Sequence, residues 1–291
     1  MATAVVRYSA AALSDRGRKR ASNEDAFGYS VEHGVYLVCD GMGGAAAGEI
    51  ASSLAVDEVL RLIGECREAL EADAGAGGVD NGRGQSISAA AGLGSNGSSS
   101  HFPLHSLPRI AEEAVVAANE AIHSQAQRNL RLTGMGTTLV GLVTGEHQVW
   151  ILNIGDSRCY RLRRRRLQQC TQDHSLVEEQ IRLGRMSRAE AARSPLRNVI
   201  TRALGTHGSV TPDVIEVAVE PGDLFLLCSD GLTRELSDDR IESLLNTPAS
   251  GFAAGFGSGP ATLEELCARL IQAANKAGGH DNITALLVRV D

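Results

Sequence analysis

The segment Val35–Gly48, which reads VYLVCDGMGGAAAG, decides the fold of this chain. Val35–Cys39 is an uninterrupted apolar run of strand length, and the alanine-rich end of the segment is typical of a helix start. The glycines between them predict a tight turn. We therefore expect Asp40 to lie at the point where a buried strand ends, with its carboxylate at the mouth of a sheet.

The glycine-rich turn also matches, loosely, the pattern of a dinucleotide-binding fold. Two features count against that interpretation. Asp40 would repel a pyrophosphate unless a cation lay between them. The acidic residues at the distance expected for a ribose contact, Asp57 and Glu58, lie in a helical pattern and not at the end of a second strand. The sequence therefore disfavours a dinucleotide site.

The composition excludes several classes of protein. Of the 291 residues, 43% are hydrophobic, which is enough for a sizeable core. A net charge of -7 disfavours nucleic acid as a partner, because such partners usually leave a basic footprint. The six cysteines form no C-x-x-C pair, which favours reduced thiols in a cytoplasmic protein. No stretch approaches the roughly 18 apolar residues of a spanning helix, so no membrane partner is expected.

Hydrophobic periodicity predicts short strands in runs, with longer helices around them. The predicted strands are Ala26–Val31, Val35–Cys39, Thr138–Val143, Gln148–Ile154, Cys159–Leu162, Leu167–Cys170, Asp213–Val219, Leu224–Cys228 and Ile283–Val290. The predicted helices are Gly44–Leu70, Leu107–Leu130, Ser175–Leu183, Ser187–Ala192, Asp238–Leu245 and Thr262–Ala277. Hairpin-sized loops join most strands, which predicts antiparallel sheets. The expected fold class is α+β, a layered sandwich.

Two glycine-rich stretches interrupt this pattern. Residues Glu71 to Ser106 contain almost nothing to bury, which predicts a flexible insertion between two helices. Ser250 to Ala261 predicts a surface loop of the same kind. We expect a single domain over residues 1–291, with no chemistry in either stretch.

The Asp-Gly ending of the first strand returns late in the chain. Leu224–Leu232, LFLLCSDGL, again runs an apolar strand into an Asp-Gly pair at Asp230. In ASNEDAF, Glu24 and Asp25 precede a strand, and in GGHDNIT, Asp281 does the same. One such aspartate is usually a turn residue, but converging carboxylates repel unless cations neutralise them. Oxygen ligands without a histidine pair or thiolate predict Mg²⁺ or Mn²⁺ and disfavour zinc.

Eight motifs follow one another along the chain: RASNEDAF, VCDGMGGAAAGEIAS, MGTTLVGL, ILNIGDSRCYRL, TQDHSLVEEQI, NVITRALG, LLCSDGLT and GGHDNITALLV. In this order they resemble the metal-dependent serine/threonine protein phosphatases of type 2C, the PPM family, and specifically their bacterial branch. The resemblance covers nearly the whole chain apart from the two glycine-rich stretches. It implies a four-layer αββα sandwich, two packed mainly antiparallel sheets flanked by helices. It also implies hydrolysis of phosphoserine and phosphothreonine on proteins by a metal-activated water.

The resemblance assigns a binuclear Mn²⁺ or Mg²⁺ centre residue by residue. It implies that Asp40 bridges the two ions, that the Gly41 carbonyl binds one of them, and that Asp230 and Asp281 complete the other. The catalytic role of the three aspartates is then exerted through the bound metals and their water. Two further carboxylates are implied to hold metal-bound waters or to bind directly on occasion: Glu24 and Asp25.

Arg20 and Asp156 also match family positions. Arg20 matches the phosphate-binding arginine, whose guanidinium fork suits bidentate contact with a phosphate. The alternative is that the RGRKR stretch is only a solvated basic run. Asp156, in NIGDSR, matches the position that holds a third, weaker metal together with Asp230. The alternative there is a turn residue that pairs with Arg158.

Met42 stands where animal members of the family have a histidine proposed to protonate the leaving alkoxide. Methionine cannot donate a proton, so the general acid must be a metal-bound water or another group. Bacterial members commonly share this methionine, so it does not argue for a dead enzyme. The segment Asp173–Gly205 matches the mobile flap beside the site in bacterial members, and we expect it to shape substrate choice.

The implied partners are phosphorylated proteins, with a bacterial serine/threonine kinase as the opposing enzyme, and a monomer is expected. One alternative is a pseudophosphatase, a catalytically weak scaffold. Loss of the metal-bridging aspartate would mark it, yet Asp40, Asp230 and Asp281 are all present. A second alternative is a phosphatase dedicated to an anti-sigma-factor antagonist. The sequence separates this alternative poorly from a broad kinase antagonist.

Overall fold

The computed structural model describes residues 6–76, 106–191, 193–248 and 261–291. The strands in these ranges are β1 Tyr8–Asp15, β2 Asp25–Ser30, β3 Val35–Met42, β4 Gly136–Thr137, β5 Leu139–Thr144, β6 Gln148–Ile154, β7 Arg158–Arg163, β8 Arg166–Gln169, β9 Asp213–Ala218, β10 Leu224–Cys228 and β11 Ile283–Val290. The α-helices are α1 Ala45–Ala76, α2 Leu107–Arg128, α3 Leu176–Arg182, α4 Arg188–Ala191, α5 Asp230–Thr233, α6 Asp238–Leu245 and α7 Leu263–Ala277.

The strands form two sheets, and every pairing between neighbours is antiparallel. One sheet has the order β1-β11-β10-β7-β8. The other has the order β2-β3-β5-β6-β9, with β4 paired to the end of β3. The expected α+β fold of two packed antiparallel sheets flanked by helices is confirmed.

Three apolar layers hold the sandwich together, and β3 shows why the sequence forms them. Successive side chains of a strand point to opposite faces of the sheet. Val35, Leu37 and Cys39 therefore pack toward α1 and α2, while Tyr36 and Val38 pack toward the second sheet. Both faces of the strand are buried, which explains its continuous apolar run. On the far side, α6 and α7 cover the outer face of β10 and β11.

The observed elements follow the predicted ones closely, with a few instructive differences. The strand β1 was not predicted, because its sequence YSAAALSD is rich in small residues with weak strand preference. It is held instead by pairing along β11, from Tyr8 opposite Val290 to Asp15 opposite Ile283. The helix α1 continues to Ala76, beyond the predicted end at Leu70 and into the start of the predicted insertion, because glutamate and alanine favour helix there.

The two predicted glycine-rich loops lie largely outside the described residues, at 77–105 and 249–260, as does Ala192 of the predicted fourth helix. All six cysteines are free thiols, in agreement with the expectation of no disulfide. Among the helices that the structure describes, none is both long enough and apolar enough to cross a membrane.

Candidate active site

Five aspartates converge at one end of the sandwich. Asp40 lies near the end of β3, directly opposite Asp25 at the start of β2. Asp230 begins α5 immediately after β10, and Asp281 precedes β11, which pairs with β10. Asp156 lies in the turn between β6 and β7. Neighbouring strands of both sheets therefore deliver their carboxylates to the same place.

The charges of these aspartates act on one another. Burial raises the pKa of Asp40 well above its usual range, and the carboxylates of Asp25, Asp230, Asp156 and Asp281 raise it further. Burial likewise raises the pKa of Asp230, with Asp156 the next largest cause. Like charges in a buried site disfavour ionisation unless a cation compensates them. The chain alone therefore leaves this cluster short of positive charge.

Asp25 is fixed by two hydroxyl groups and keeps one oxygen free. Its Oδ2 accepts hydrogen bonds from Ser229 Oγ and Thr284 Oγ1, both at 2.7 Å. Its Oδ1 is buried and has no hydrogen-bond partner among the described residues. Burial raises the pKa of Asp25 to about 6. The two hydroxyl groups thus orient the carboxylate and leave its other oxygen available to a ligand.

Two more buried carboxylate oxygens of this cluster have no hydrogen-bond partner among the described residues, Asp156 Oδ1 and Asp230 Oδ1. Buried polar atoms in native proteins nearly always have partners, so three orphans in one cluster call for an explanation. A set made of carboxylate oxygens suits hard divalent cations. No three acidic, histidine or cysteine side chains in the described ranges close around a single ion. A guanidinium, that of Arg234, lies among them instead. By the chemistry of their oxygens, these carboxylates nevertheless fit Mn²⁺ or Mg²⁺.

The glycine that follows each strand-ending aspartate is required by close backbone packing. A Cβ at Gly41 would collide with the main-chain carbonyls of Gly48 and Glu24, and one at Gly231 would collide with that of Asn282. The Gly41 N–H donates to the Glu24 carbonyl at 3.1 Å. This contact ties the end of β3 to the residue before β2. Each Asp-Gly pair thus lets separate segments meet at the carboxylates.

Arg20 and Glu24 lie at a cleft of about 470 Å³ above the aspartates. Arg20 Nη2 donates to Asp281 Oδ2 at 2.8 Å, and its side chain is 49% exposed. Burial raises the pKa of Glu24. The predicted phosphate-binding arginine is thus at the mouth of the cleft, where an incoming anion would meet it.

Sequence reasoning missed Arg234. Its guanidinium forms a close ion pair with Asp230, donates to Asp281 Oδ2 at 3.2 Å, and lies 3.9 Å from Asp156 Oδ2. A signal was present, because Arg234 follows Asp230 by four residues at a helix start, a spacing that brings side chains together. The alternative pairing of Asp156 with Arg158 is not seen, since Arg158 instead makes bidentate hydrogen bonds to Asp173.

Met42 also lines the cleft, paired through β4 with Gly136. The predicted flap contains α3 and α4, and its residues 198 and 200–203 line the same cleft. His280 and His174 make local contacts. His280 Nδ1 lies 2.7 Å from Glu235 Oε1, and His174 Nδ1 accepts a hydrogen bond from the Gly155 N–H.

Comparison with known proteins identifies this arrangement. The family model described as Protein phosphatase 2C matches residues 15–286. The serine/threonine phosphatase Stp of Listeria monocytogenes is 34% identical over 281 residues, covering 96% of this chain and 94% of that protein. The serine/threonine protein phosphatase PstP of Mycobacterium tuberculosis is 35% identical over 99% of this chain and 46% of its own length.

Solved structures agree with the sequence relatives. The crystal structure of Mycobacterium tuberculosis PstP superposes with a TM-score of 0.74 at 32% identity, covering 99% of both chains. The catalytic domain of PstP in complex with two manganese ions superposes with a TM-score of 0.74 at 31% identity, covering 98% of this chain and 99% of that one. The protein is therefore a serine/threonine phosphatase whose relatives support metal-dependent hydrolysis, and the chain belongs to the protein phosphatase 2C family.

Proposed function

We propose that this enzyme hydrolyses phosphoserine and phosphothreonine at a centre of two Mn²⁺ or Mg²⁺ ions. The residues that would hold the ions are Asp40, proposed to be shared by both, the Gly41 carbonyl, Asp230 and Asp281. The observation that carries the proposal is the convergence of five aspartates on one buried point, where burial and the neighbouring carboxylates raise the pKa of Asp40. Two such ions, when bound, lower the pKa of a water molecule and neutralise phosphoryl oxygens.

The chain's own residues have separate tasks in this proposal. Asp25, held by Ser229 and Thr284, would hold an ion-bound water through its remaining oxygen. Glu24, at the cleft, would hold a second water. Arg20 binds the substrate phosphate, and the guanidinium must leave Asp281 or share it to do so. Met42 offers no proton, so the proton for the leaving alkoxide comes from water or from another group in the cleft.

The number of ions in the proposal is two. A third, weaker ion was expected between Asp156 and Asp230, but Arg234 already contacts both carboxylates. A pseudophosphatase is disfavoured, because the three proposed ligand aspartates are present and their charges act on one another. The flap residues that line the cleft support a role of Asp173–Gly205 in choosing the phosphopeptide.

The test is a measurement of metal dependence on a phosphothreonine peptide. After EDTA and desalting, we expect no detectable turnover, and we expect activity to return with Mn²⁺ or Mg²⁺ but not with Ca²⁺. The smaller ions demand the tight octahedral geometry of a dedicated site, whereas Ca²⁺ takes more ligands at longer distances. Full turnover in the metal-free protein would refute the proposal.

We also propose that the cellular role is to oppose a serine/threonine kinase on shared phosphoproteins, acting as a monomer. This follows from the family and from the reaction, which reverses the product of such a kinase. Phosphoproteomics of a strain lacking the enzyme tests it. We expect phosphothreonine and phosphoserine to rise on many proteins, and deletion of the kinase to remove that rise. A rise confined to one anti-sigma-factor antagonist would favour the dedicated phosphatase instead.

A further inference from the structure

Arg234 lies where a cation is needed and is itself a cation. It follows α5, and its guanidinium contacts three carboxylates at once. Nη2 pairs closely with Asp230 Oδ2 and lies 3.9 Å from Asp156 Oδ2, while Nη1 donates to Asp281 Oδ2. A guanidinium presents five N–H donors in a planar fork, which suits several carboxylates at once.

The carboxylates of Asp156 and Asp230 both lie within ion-pair distance of Arg234. Both are 7% exposed, and each keeps one buried oxygen without a partner among the described residues. The neighbouring cation Arg158 makes no ion pair with either carboxylate, because its guanidinium forms a bidentate pair with Asp173. Arg234 is thus the cationic side chain that the described ion pairs place at both carboxylates.

The charges of the centre would balance with Arg234 included. Five aspartate side chains meet at the site, namely Asp25, Asp40, Asp156, Asp230 and Asp281. Two divalent ions and one guanidinium would cancel their charge. Arg20, at the exposed mouth of the cleft, would then remain for the phosphate. A third divalent ion would compete directly with the guanidinium for the same oxygens, at a cost set by repulsion between cations at short range.

We propose that Arg234 is a resident cation of the metal centre, which links Asp156 to Asp230 and thereby excludes a third divalent ion from that pair. Arg234 is a positioning residue, since it acts by holding Asp230 and not by touching the reacting atoms. The proposal rests on the centre of two ions proposed above. If it holds, Arg234 determines how many divalent ions this chain binds.

The test counts bound Mn²⁺ on the intact chain by equilibrium dialysis. For the wild type we expect two ions. For Arg234→Gln we expect a third ion, bound at least about tenfold more tightly than any further ion in the wild type, because the competing charge is gone. Arg234→Lys, which keeps the charge, should stay at two. Arg240→Gln, the same change at an exposed position of α6, is the matched control and should also stay at two.

Asp156→Asn provides an independent check that does not depend on how Arg234→Gln folds. In the wild-type background we expect this variant to keep both ions, because Asp156 is held by the guanidinium. In the Arg234→Gln background it should remove the third ion. Two ions in Arg234→Gln at every free Mn²⁺ concentration, or loss of an ion from Asp156→Asn alone, would overturn the proposal. A wild type that binds no Mn²⁺ would instead overturn the centre itself.

A melting experiment supplies a second readout that needs no bound metal. In EDTA, Arg234→Gln should melt at a lower temperature than Arg240→Gln, because it leaves three clustered carboxylates without their guanidinium. Saturating Mn²⁺ should narrow that gap, since the third ion takes over the lost charge. An equal melting temperature of the two variants in EDTA would count against Arg234 as a resident cation.

Discussion

Two aspartates of this molecule, Asp213 and Asp40, show opposite electrostatic behaviour. Asp213 begins β9, where its Oδ2 lies 3.1 Å from His174 Nε2 and its Oδ1 accepts a hydrogen bond from Arg202 at 2.7 Å. The hydrogen bond from His174 is the largest cause that lowers the pKa of Asp213 to about 2. Burial and four neighbouring carboxylates raise the pKa of Asp40. The same residue type is satisfied by the chain in one place and left unsatisfied in the other.

The difference separates a structural carboxylate from one that awaits a ligand. His174 Nδ1 accepts from the Gly155 N–H, so the neutral ring carries its proton on Nε2 and donates it to Asp213. The chain thus completes the contacts of Asp213 by itself. The main-chain N–H of Asp40 donates a hydrogen bond to Thr138 Oγ1, but the groups around its carboxylate are mainly other carboxylates. A buried charge in that position requires ions from solution.

The largest expected effect concerns activity. Asp40→Asn should lower kcat on a phosphothreonine peptide with saturating Mn²⁺ by about three orders of magnitude or more, because it removes the carboxylate that both ions would share in the proposed centre. Asp213→Asn should stay within about fivefold of the wild type, since that residue only supports the fold near the cleft. Asp57→Asn, on the exposed face of α1, is the control. Comparable losses in Asp40→Asn and Asp213→Asn would erase the distinction.

The second effect concerns substrate binding at the mouth of the cleft. Arg20→Ala should raise KM about tenfold to a hundredfold with a smaller fall in kcat, because charge-assisted hydrogen bonds to the phosphate are lost. Arg20→Lys restores the charge but not the bidentate fork, so its recovery should be partial. Lys19→Ala removes the neighbouring exposed charge and should change KM little. A pure fall in kcat at unchanged KM would place Arg20 outside phosphate binding.

The sequence was sufficient to predict the sheets and the carboxylates, because both depend on local patterns. Apolar runs that end in Asp-Gly identified Asp40 and Asp230 as strand-end residues, and the antiparallel pairing then brought them together. The strand β1 and the residue Arg234 were missed for different reasons. The strand owes its form to pairing with a partner far along the chain. For Arg234, the spacing from Asp230 was visible, but its position among three carboxylates depends on tertiary packing.

The contacts that the chain makes to the Asp213 carboxylate could not have been predicted from the sequence. His174, Arg202 and Asp213 are far apart along the chain, and no local pattern relates a histidine in one loop to the start of β9. Strand ends carry aspartates for many reasons. From the sequence alone, Asp213 and Asp40 are both aspartates at a strand boundary, one at the start of a strand and one near the end. The distinction between them appears when their neighbours are known.

The third effect concerns the stability of the metal-free protein. In EDTA near neutral pH, Asp40→Asn should raise the melting temperature by roughly 2–4 °C, because it removes one of several mutually repelling buried charges. Asp213→Asn should lower it by a similar amount, because it weakens contacts to His174 and Arg202. With Mn²⁺ added, the wild type should gain more than Asp40→Asn, since only an intact centre binds both ions well. Shifts of the same sign in the two variants would contradict the comparison.

A smaller effect appears in acid. A carboxylate whose pKa is lower in the folded than in the unfolded protein stabilises the folded state. For Asp213 this stabilisation is fully present at pH values above the unfolded pKa, near 3.9 for aspartate, and is lost as the pH falls through about 2. For Asp213 the contribution is about 1 kcal/mol after allowance for its partial exposure. In EDTA, the gap in unfolding free energy between wild type and Asp213→Asn should therefore narrow from pH 4 to pH 2. A gap that widens over this range would mean that Asp213 is not held ionised by His174.

The smallest effect tests whether the region around Asp40 works through carboxylates and ions alone. Met42 lines the cleft next to Asp40 and has no proton to give. Leucine is close to methionine in volume, so Met42→Leu should change kcat and KM by less than about threefold. The leaving group supplies the cross-check. p-Nitrophenolate departs without protonation and a serine alkoxide does not, so loss of a general acid would damage phosphopeptide turnover selectively. We expect both substrates to respond alike. A selective collapse with the phosphopeptide would mean that position 42 organises the proton donor, and that the unsatisfied end of the sandwich needs more than its carboxylates and ions to act.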